Sequence, residues 1–316
     1  MRTPTINASV LAAVLLSVAA CGPGEAPEDT GGTAPVASRT ATGSIEVTHY
    51  PLAYVAERLV GPLVEVRFRA AEAADPAYWR PTAEEVVDMQ EADLIVVNGA
   101  GYESWLKDVS LPTSRLLDST AAVRDRLIDI SSNTTHSHGL EGEHEHTGSA
   151  FTTWLDPTLL IEQARALSQG LERRWPDQTA LFAERLAALV TDLETLDAEL
   201  RAATANAADH PVIFSHPVYQ YLQQRYSLVG TSVHWEHDEA PDASQWNELE
   251  HLIVENRAEW MVWEAEPLAE TSERLLELGL RWVVFDPCST PPEEGDLLTV
   301  MRRNAEALRE AFEPSP

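Results

Sequence analysis

Ala92-Asp93-Leu94-Ile95-Val96-Val97-Asn98-Gly99 is the stretch that decides the fold. Four successive apolar residues between an aspartate and an Asn-Gly turn are too few for a helix and read as a strand buried on both faces. Such strands belong to parallel sheets covered by helices on either side. Toward the N-terminus, Ile45-Glu46-Val47-Thr48-His49 alternates like a strand and runs into a helical stretch at 51–60. Residues 63–68 read as a second strand and 82–92 as a helix. The same theme returns in the last third of the chain. Val212-Ile213-Phe214, 228–233, Trp260-Met261-Val262-Trp263 and Trp282-Val283-Val284-Phe285 read as strands, with helical patterns at 217–226, 243–255, 270–278 and 297–312.

Between the two blocks, Phe182, Leu186, Leu189, Leu193, Leu196 and Leu200 recur at steps of four and three, one stripe of a helix. About thirty residues at a rise of 1.5 Å make a rod of roughly 45 Å, enough to run the height of two lobes. The period lasts under four heptads, which disfavours a coiled-coil seam. The fold class is therefore α/β, with two lobes, each a mainly parallel sheet flanked by helices, joined by a long backbone helix.

The ends of the chain point outside the cytoplasm. Arg2 and the short apolar run at 8–20 read as a signal peptide over 1–20. The run stops at Val18-Ala19-Ala20-Cys21-Gly22, which resembles the lipobox of bacterial lipoproteins, where the leader is cut before a lipidated cysteine. Residues 21–43 are rich in Gly, Pro, Ala and Thr and read as that Cys21 and a flexible tether. The expected layout is then an N-terminal lobe at 44–155 with a His-rich loop at 132–149, a helical region at 156–206 and a C-terminal lobe at 207–316. No later stretch is long and apolar enough to span a membrane. With Cys288 the only other cysteine, no internal disulfide is expected.

Acidic residues outnumber basic ones 51 to 22. That balance argues against nucleic acid, whose binding depends on basic contacts to phosphate, and suits the gathering of cations near the surface. Most of these carboxylates read as a solvated surface. Four histidines, however, cluster in Thr135-His136-Ser137-His138-Gly139-Leu140-Glu141-Gly142-Glu143-His144-Glu145-His146. Two His-x-His pairs with interleaved glutamates and glycines make a flexible, metal-avid loop, and imidazole suits zinc, copper and nickel. Ligands of open parallel sheets sit beyond the carboxyl ends of the strands, so the residues to inspect are His216, 234–237, 264–266 and Asp286.

Several segments together resemble the zinc/manganese-binding receptors of ABC importers, the ZnuA/TroA-like (cluster A-I) solute-binding proteins. They are His49-Tyr50-Pro51-Leu52, Ala74-Asp75-Pro76 with Pro81, the stretch at 92–99, Trp154-Leu155-Asp156-Pro157, Phe214-Ser215-His216 and Phe285-Asp286-Pro287. The resemblance implies metal bound between two lobes, a site of three histidines and one carboxylate, and a His-rich loop between the first two ligand positions. It matches His216 and Asp286 to that site. The first histidine position is Ala77 and the second is Thr152, so two ligands must come from elsewhere.

Three repairs stay open. His144 or His146, with His136 and His138 nearby, could fold back toward Thr152. His234 or His237 could enter the cleft. Otherwise the site has changed its ligand, taking a metal chelate or organic solute against Tyr78, Trp79 and Trp263. Glu264 could coordinate metal or orient an imidazole, or cap a turn. Cys288 reads as a buried thiol or a soft ligand. His49, His210 and His251 read as structural. The leading function is the non-enzymatic substrate-binding component of a metal ABC importer, with a divalent transition metal as cargo, zinc favoured, and a permease and ATPase as partners, on the periplasmic or cell-envelope side. The alternatives are a metal-scavenging surface lipoprotein and, more remotely, a metal-dependent hydrolase. For the last, no Gly-x-Ser-x-Gly, Walker or His-Glu-x-x-His pattern is present.

Overall fold

The computed structural model describes residues 42–73, 75–130, 135–138, 142–145 and 148–313. The expected leader and lipidated Cys21, nearly all of the tether, and His146 lie outside the described residues. The first sheet contains β1 (Ser44–Val47), β2 (Glu65–Phe68), β3 (Leu94–Val97) and β4 (Leu116–Asp118), ordered β2-β1-β3-β4 with every pairing parallel. All four residues of β3 are buried, as its sequence requires. Helix α1 (Tyr50–Val60) and α2 (Ala83–Glu91) make the crossovers. Thr82 caps α2 in a reciprocal box: Glu85 N donates to Thr82 Oγ1 at 3.3 Å, and Thr82 N to Glu85 Oε2 at 2.7 Å.

After β4, a two-residue pair of β5 (Asp129–Ile130) and β8 (Gly148–Ser149) closes the base of the histidine-rich segment. Within that segment β6 (Thr135–His138) and β7 (Gly142–Glu145) pair antiparallel, with His136 opposite His144. Part of the segment that reads as a flexible loop in the sequence is thus paired backbone.

Helices α3 (Pro157–Arg174) and α4 (Thr179–Ala203) follow. Asp156 caps α3 through Thr158 N at 2.8 Å. Helix α4 has 25 residues, about 38 Å of rod. It is shorter than the sequence pattern suggested because 176–178 forms a separate 3₁₀ turn. Its stripe buries Phe182, Leu189, Leu193, Leu196 and Leu200. The second sheet repeats the first. Strands β9 (Val212–Phe214), β10 (Gly230–Ser232), β11 (Trp260–Trp263) and β12 (Arg281–Val284) are ordered β10-β9-β11-β12, all parallel, with α5 (Gln220–Tyr226), α6 (Ala243–Asn256), α7 (Ala269–Glu277) and α8 (Leu297–Phe312) around them.

Helix α4 packs on α1 of the first lobe and α8 of the second, and one continuous apolar core holds Ile45, Val96, Leu193, Phe214 and Val262 together. Hydrogen bonds also cross directly between the lobes. Trp154 Nε1 donates to Pro287 O at 2.8 Å, Tyr221 Oη to Ala150 O at 2.9 Å, Thr152 Oγ1 to Val218 O at 2.5 Å and Tyr50 N to Ser289 O at 3.2 Å. Each is worth about 1 kcal/mol net. Among the described residues, no helix is long and apolar enough to cross a membrane.

Candidate metal site

In the second lobe the ladder continues past the strand ends. Val233 N donates to Phe214 O at 2.9 Å and Trp235 N to Ser215 O at 2.8 Å, which zips the segment after β10 against the segment after β9. Alternation then sorts the side chains. Val233 and Trp235 are buried in an apolar cluster, Trp235 against Trp246 and Trp263. His234 and Glu236, between and beyond them, fall on the other side beside His216. The His216 and His234 rings stand 5.7 Å apart, nearly perpendicular, and His216 Nδ1 lies 3.7 Å from Glu236 Oε1.

Glu264 follows β11. Its Oε1 is buried and has no hydrogen-bond partner among the described residues. Burial first, then the charges of Glu236, Asp75 and Asp286, push this carboxyl up to about 8. Asp286 follows Phe285 past the end of β12. Its Oδ1 accepts from Cys288 N at 2.6 Å, and its backbone N–H and C=O both pair with Asn304. Burial raises its carboxyl as well, against the opposing Cys288 N–H and Arg303.

The first lobe faces these groups with the turn after Pro76. Asp75 Oδ1 accepts from Ala77 N at 2.8 Å, and Tyr78 N donates to Asp75 O at 3.2 Å. Burial, then the charges of Asp75, Glu236 and Glu264, push the Tyr78 hydroxyl up to about 12. The buried Glu264 and Asp286, with Glu236 and Asp75 adding like charge to Glu264, favour a bound proton or a cation there. A pair of imidazoles among them supplies nitrogen donors for a transition metal.

The structure thus brings together His216, His234, Glu236, Glu264, Asp286, Asp75 and Tyr78. His234 and Glu236 lie in the stretch 234–237 that the sequence had marked for inspection, and Asp75 in one of the motifs quoted above. The first two follow a strand, which was their one legible signal; Asp75 carried none beyond its motif. The other residues singled out in the sequence fall as follows. His237 is exposed, and only its backbone C=O is engaged, by Leu268 N at 3.2 Å. Trp79 meets Trp105 edge-on at 5.9 Å inside the first lobe, and Trp263 is fully buried in the second-lobe core. Each ring thus has an aromatic partner within its own lobe. Thr152 is buried, with its hydroxyl spent on Val218 O. Burial, then Asp286 and Asp296, push the Cys288 thiol far up, as suits a buried thiol.

His49 is structural. It is fully buried, its ring stacks 4.7 Å from that of Trp154, and its Nε2 lies 3.2 Å from Asn98 Oδ1. Burial, opposed by the Asn98 contact, lowers it to about 3. Glu103 closes the same end of the first sheet, accepting from Thr48 Oγ1 at 2.6 Å, Asn98 N at 2.6 Å and Gly99 N at 3.0 Å. Of the histidine-rich segment, the backbone register alone is described, so roles for His136, His138 and His144 remain proposals. His146 lies outside the described residues.

Two parallel sheets of like order and a connecting rod define a two-lobed α/β fold, with an acidic, imidazole-bearing cluster past the strand ends of the second sheet. The Zn(II)-bound ZnuA-like domain of Streptococcus pneumoniae AdcA shares the fold with a TM-score of 0.72 at 20% identity, over 85% of this chain and 98% of that one. The model of the family described as ZnuA, zinc-uptake complex component A, periplasmic, matches residues 45–311, and the chain belongs to that family. It is 24% identical to the zinc-binding lipoprotein AdcA of Streptococcus pneumoniae (strain ATCC BAA-255 / R6), over 84% of this chain but 55% of that protein, so it spans about half of AdcA. It is also 24% identical to the high-affinity zinc uptake system protein ZnuA of Bacillus subtilis (strain 168), over 96% of each.

Proposed function

We propose that this chain is the extracytoplasmic substrate-binding component of a metal importer, taking zinc as cargo and handing it to a permease driven by an ATPase. The cluster of His216, Glu264 and Asp286 beyond the carboxyl ends of the second sheet, facing Asp75 and Tyr78, carries the reading. Membership of the zinc-uptake family and the names of both relatives support zinc as cargo. No catalytic step is needed. Lipidation of Cys21 would tether the receptor to the membrane, in the periplasm or cell envelope, and the histidine-rich hairpin would gather ions for the cleft. The test is elemental analysis of zinc retained after dialysis. The native protein is expected to keep one equivalent at the cleft and His216→Ala to lose it. Deleting residues 135–146 is expected to weaken or slow uptake. One equivalent kept by His216→Ala would sink the assignment.

A further inference from the structure

The cleft has lost two imidazoles at the positions where the family resemblance places them, and the geometry around those positions shows that neither can be regained by a small movement. Ala77 offers no donor atom, and its N–H is held by Asp75 Oδ1. Thr152 has its hydroxyl committed to the opposite lobe. The donors that remain lie almost wholly on the second lobe.

The second sheet runs in the order β10-β9-β11-β12, so its connections diverge to either side between β9 and β11. That point, at the carboxyl edge, is where ligands of open parallel sheets bind. His216 follows β9, Glu264 follows β11, and His234 with Glu236 follows β10. On the proposed reading of the chain as a zinc receptor, we propose that the cargo ion is held by His216, His234, Glu236 and Glu264, a seat built by one lobe alone. The other lobe contributes only the facing Asp75 and Tyr78.

Two of the pairwise spacings are near those of a four-coordinate ion. Neighbouring donor atoms around tetrahedral zinc stand about 3.3–3.6 Å apart when the bonds are about 2.0–2.2 Å. His216 Nδ1 and Glu236 Oε1 are at 3.7 Å. Two imidazoles on such an ion have ring centres about 5 Å apart, against 5.7 Å here. Glu264 presents a buried Oε1 without a hydrogen-bond partner among the described residues, the state in which a carboxylate gains most from a cation. Two imidazoles and two carboxylates balance the charge of a divalent ion. Among the described residues no three donors yet converge on one point. The donors must close on the ion, and the negative charges of Glu236 and Asp75 disfavour an ionised Glu264 beside them until a cation arrives.

A one-lobe seat separates capture from closure. The lobes are already joined by the contacts of Trp154, Tyr221 and Thr152, so the ion need not bridge them to be held.

The experiment measures zinc affinity of the full chain by competition with a chromophoric chelator, for wild type, His216→Ala, His234→Ala, Glu264→Gln and, as control, the exposed His237→Ala. Thermal melts of the metal-free variants establish that each is folded. His234→Ala and Glu264→Gln are each expected to weaken binding at least tenfold, and His237→Ala to leave it unchanged. Wild-type affinity in both of the first two, with His216→Ala deficient, overturns the ligand set while the receptor reading stands. No zinc bound by wild type overturns both. Zinc-edge X-ray absorption of the loaded wild type gives a check that requires no variant. Two imidazoles with oxygen donors support the seat, and three or more imidazoles overturn it.

Discussion

Glu103 and His49 close the same end of the first sheet, and their titrations oppose each other. Glu103 is raised to about 7 by burial, which outweighs its bonds from Thr48, Asn98 and Gly99. Unfolded, it would titrate near 4.5. Between those values the folded state holds the extra proton, so stability falls as pH rises through that window. His49, lowered to about 3 from 6.5, behaves oppositely: the unfolded state holds the extra proton, and stability falls as pH drops. Each slope is about 1.4 kcal/mol per pH unit, so between 4.5 and 6.5 the two cancel. Glu103→Gln, which resembles the protonated acid, removes one of them. Relative to wild type, the variant should gain about 3 kcal/mol of stability between pH 4.5 and 7. Urea unfolding at half-unit steps, followed by tryptophan fluorescence, reads the difference. Parallel profiles for the two proteins would show that Glu103 titrates normally and that its burial is offset by its hydrogen bonds.

Two shorter tests address local structure. In a Cys21→Ser background, the buried Cys288 should react with a thiol reagent at least 100-fold more slowly in the native protein than in denaturant. Prompt stoichiometric reaction would contradict its burial and raised thiol. Gly99 has φ +80°, and a Cβ there would press on Asp118 and Thr120. Gly99→Ala should therefore lower stability by about 2 kcal/mol or more. An unchanged urea midpoint would refute that account.

The frame was legible because it is written in runs of apolar residues: Leu94 to Val97, the stripe from Phe182 to Leu200, and Trp260 to Trp263 each form the element their spacing implies. Strand β4 was not legible. Leu116-Leu117-Asp118 is half-buried and three residues long, with no alternation to mark it. The site divides along a similar line. His216, Glu264 and Asp286 could be singled out because they follow recognisable strands. The choice of His234 over His237 turned on the backbone bond from Trp235 to Ser215, which extends strand alternation beyond β10 and leaves His237 in the open. The tasks of Trp79, Trp263 and Thr152 depended on partners far away in sequence: Trp105, Trp235 and Val218.

The two sheets carry a histidine at the same station, His49 two residues past β1 and His216 two residues past β9. Their fates differ because of Trp154. Its ring covers His49 like a stopper, while its indole N–H reaches across to Pro287, the residue next to Asp286. One side chain thus blocks the first station and buttresses the rim of the second. Two frames of like order thus differ at the same station, and Trp154 touches both.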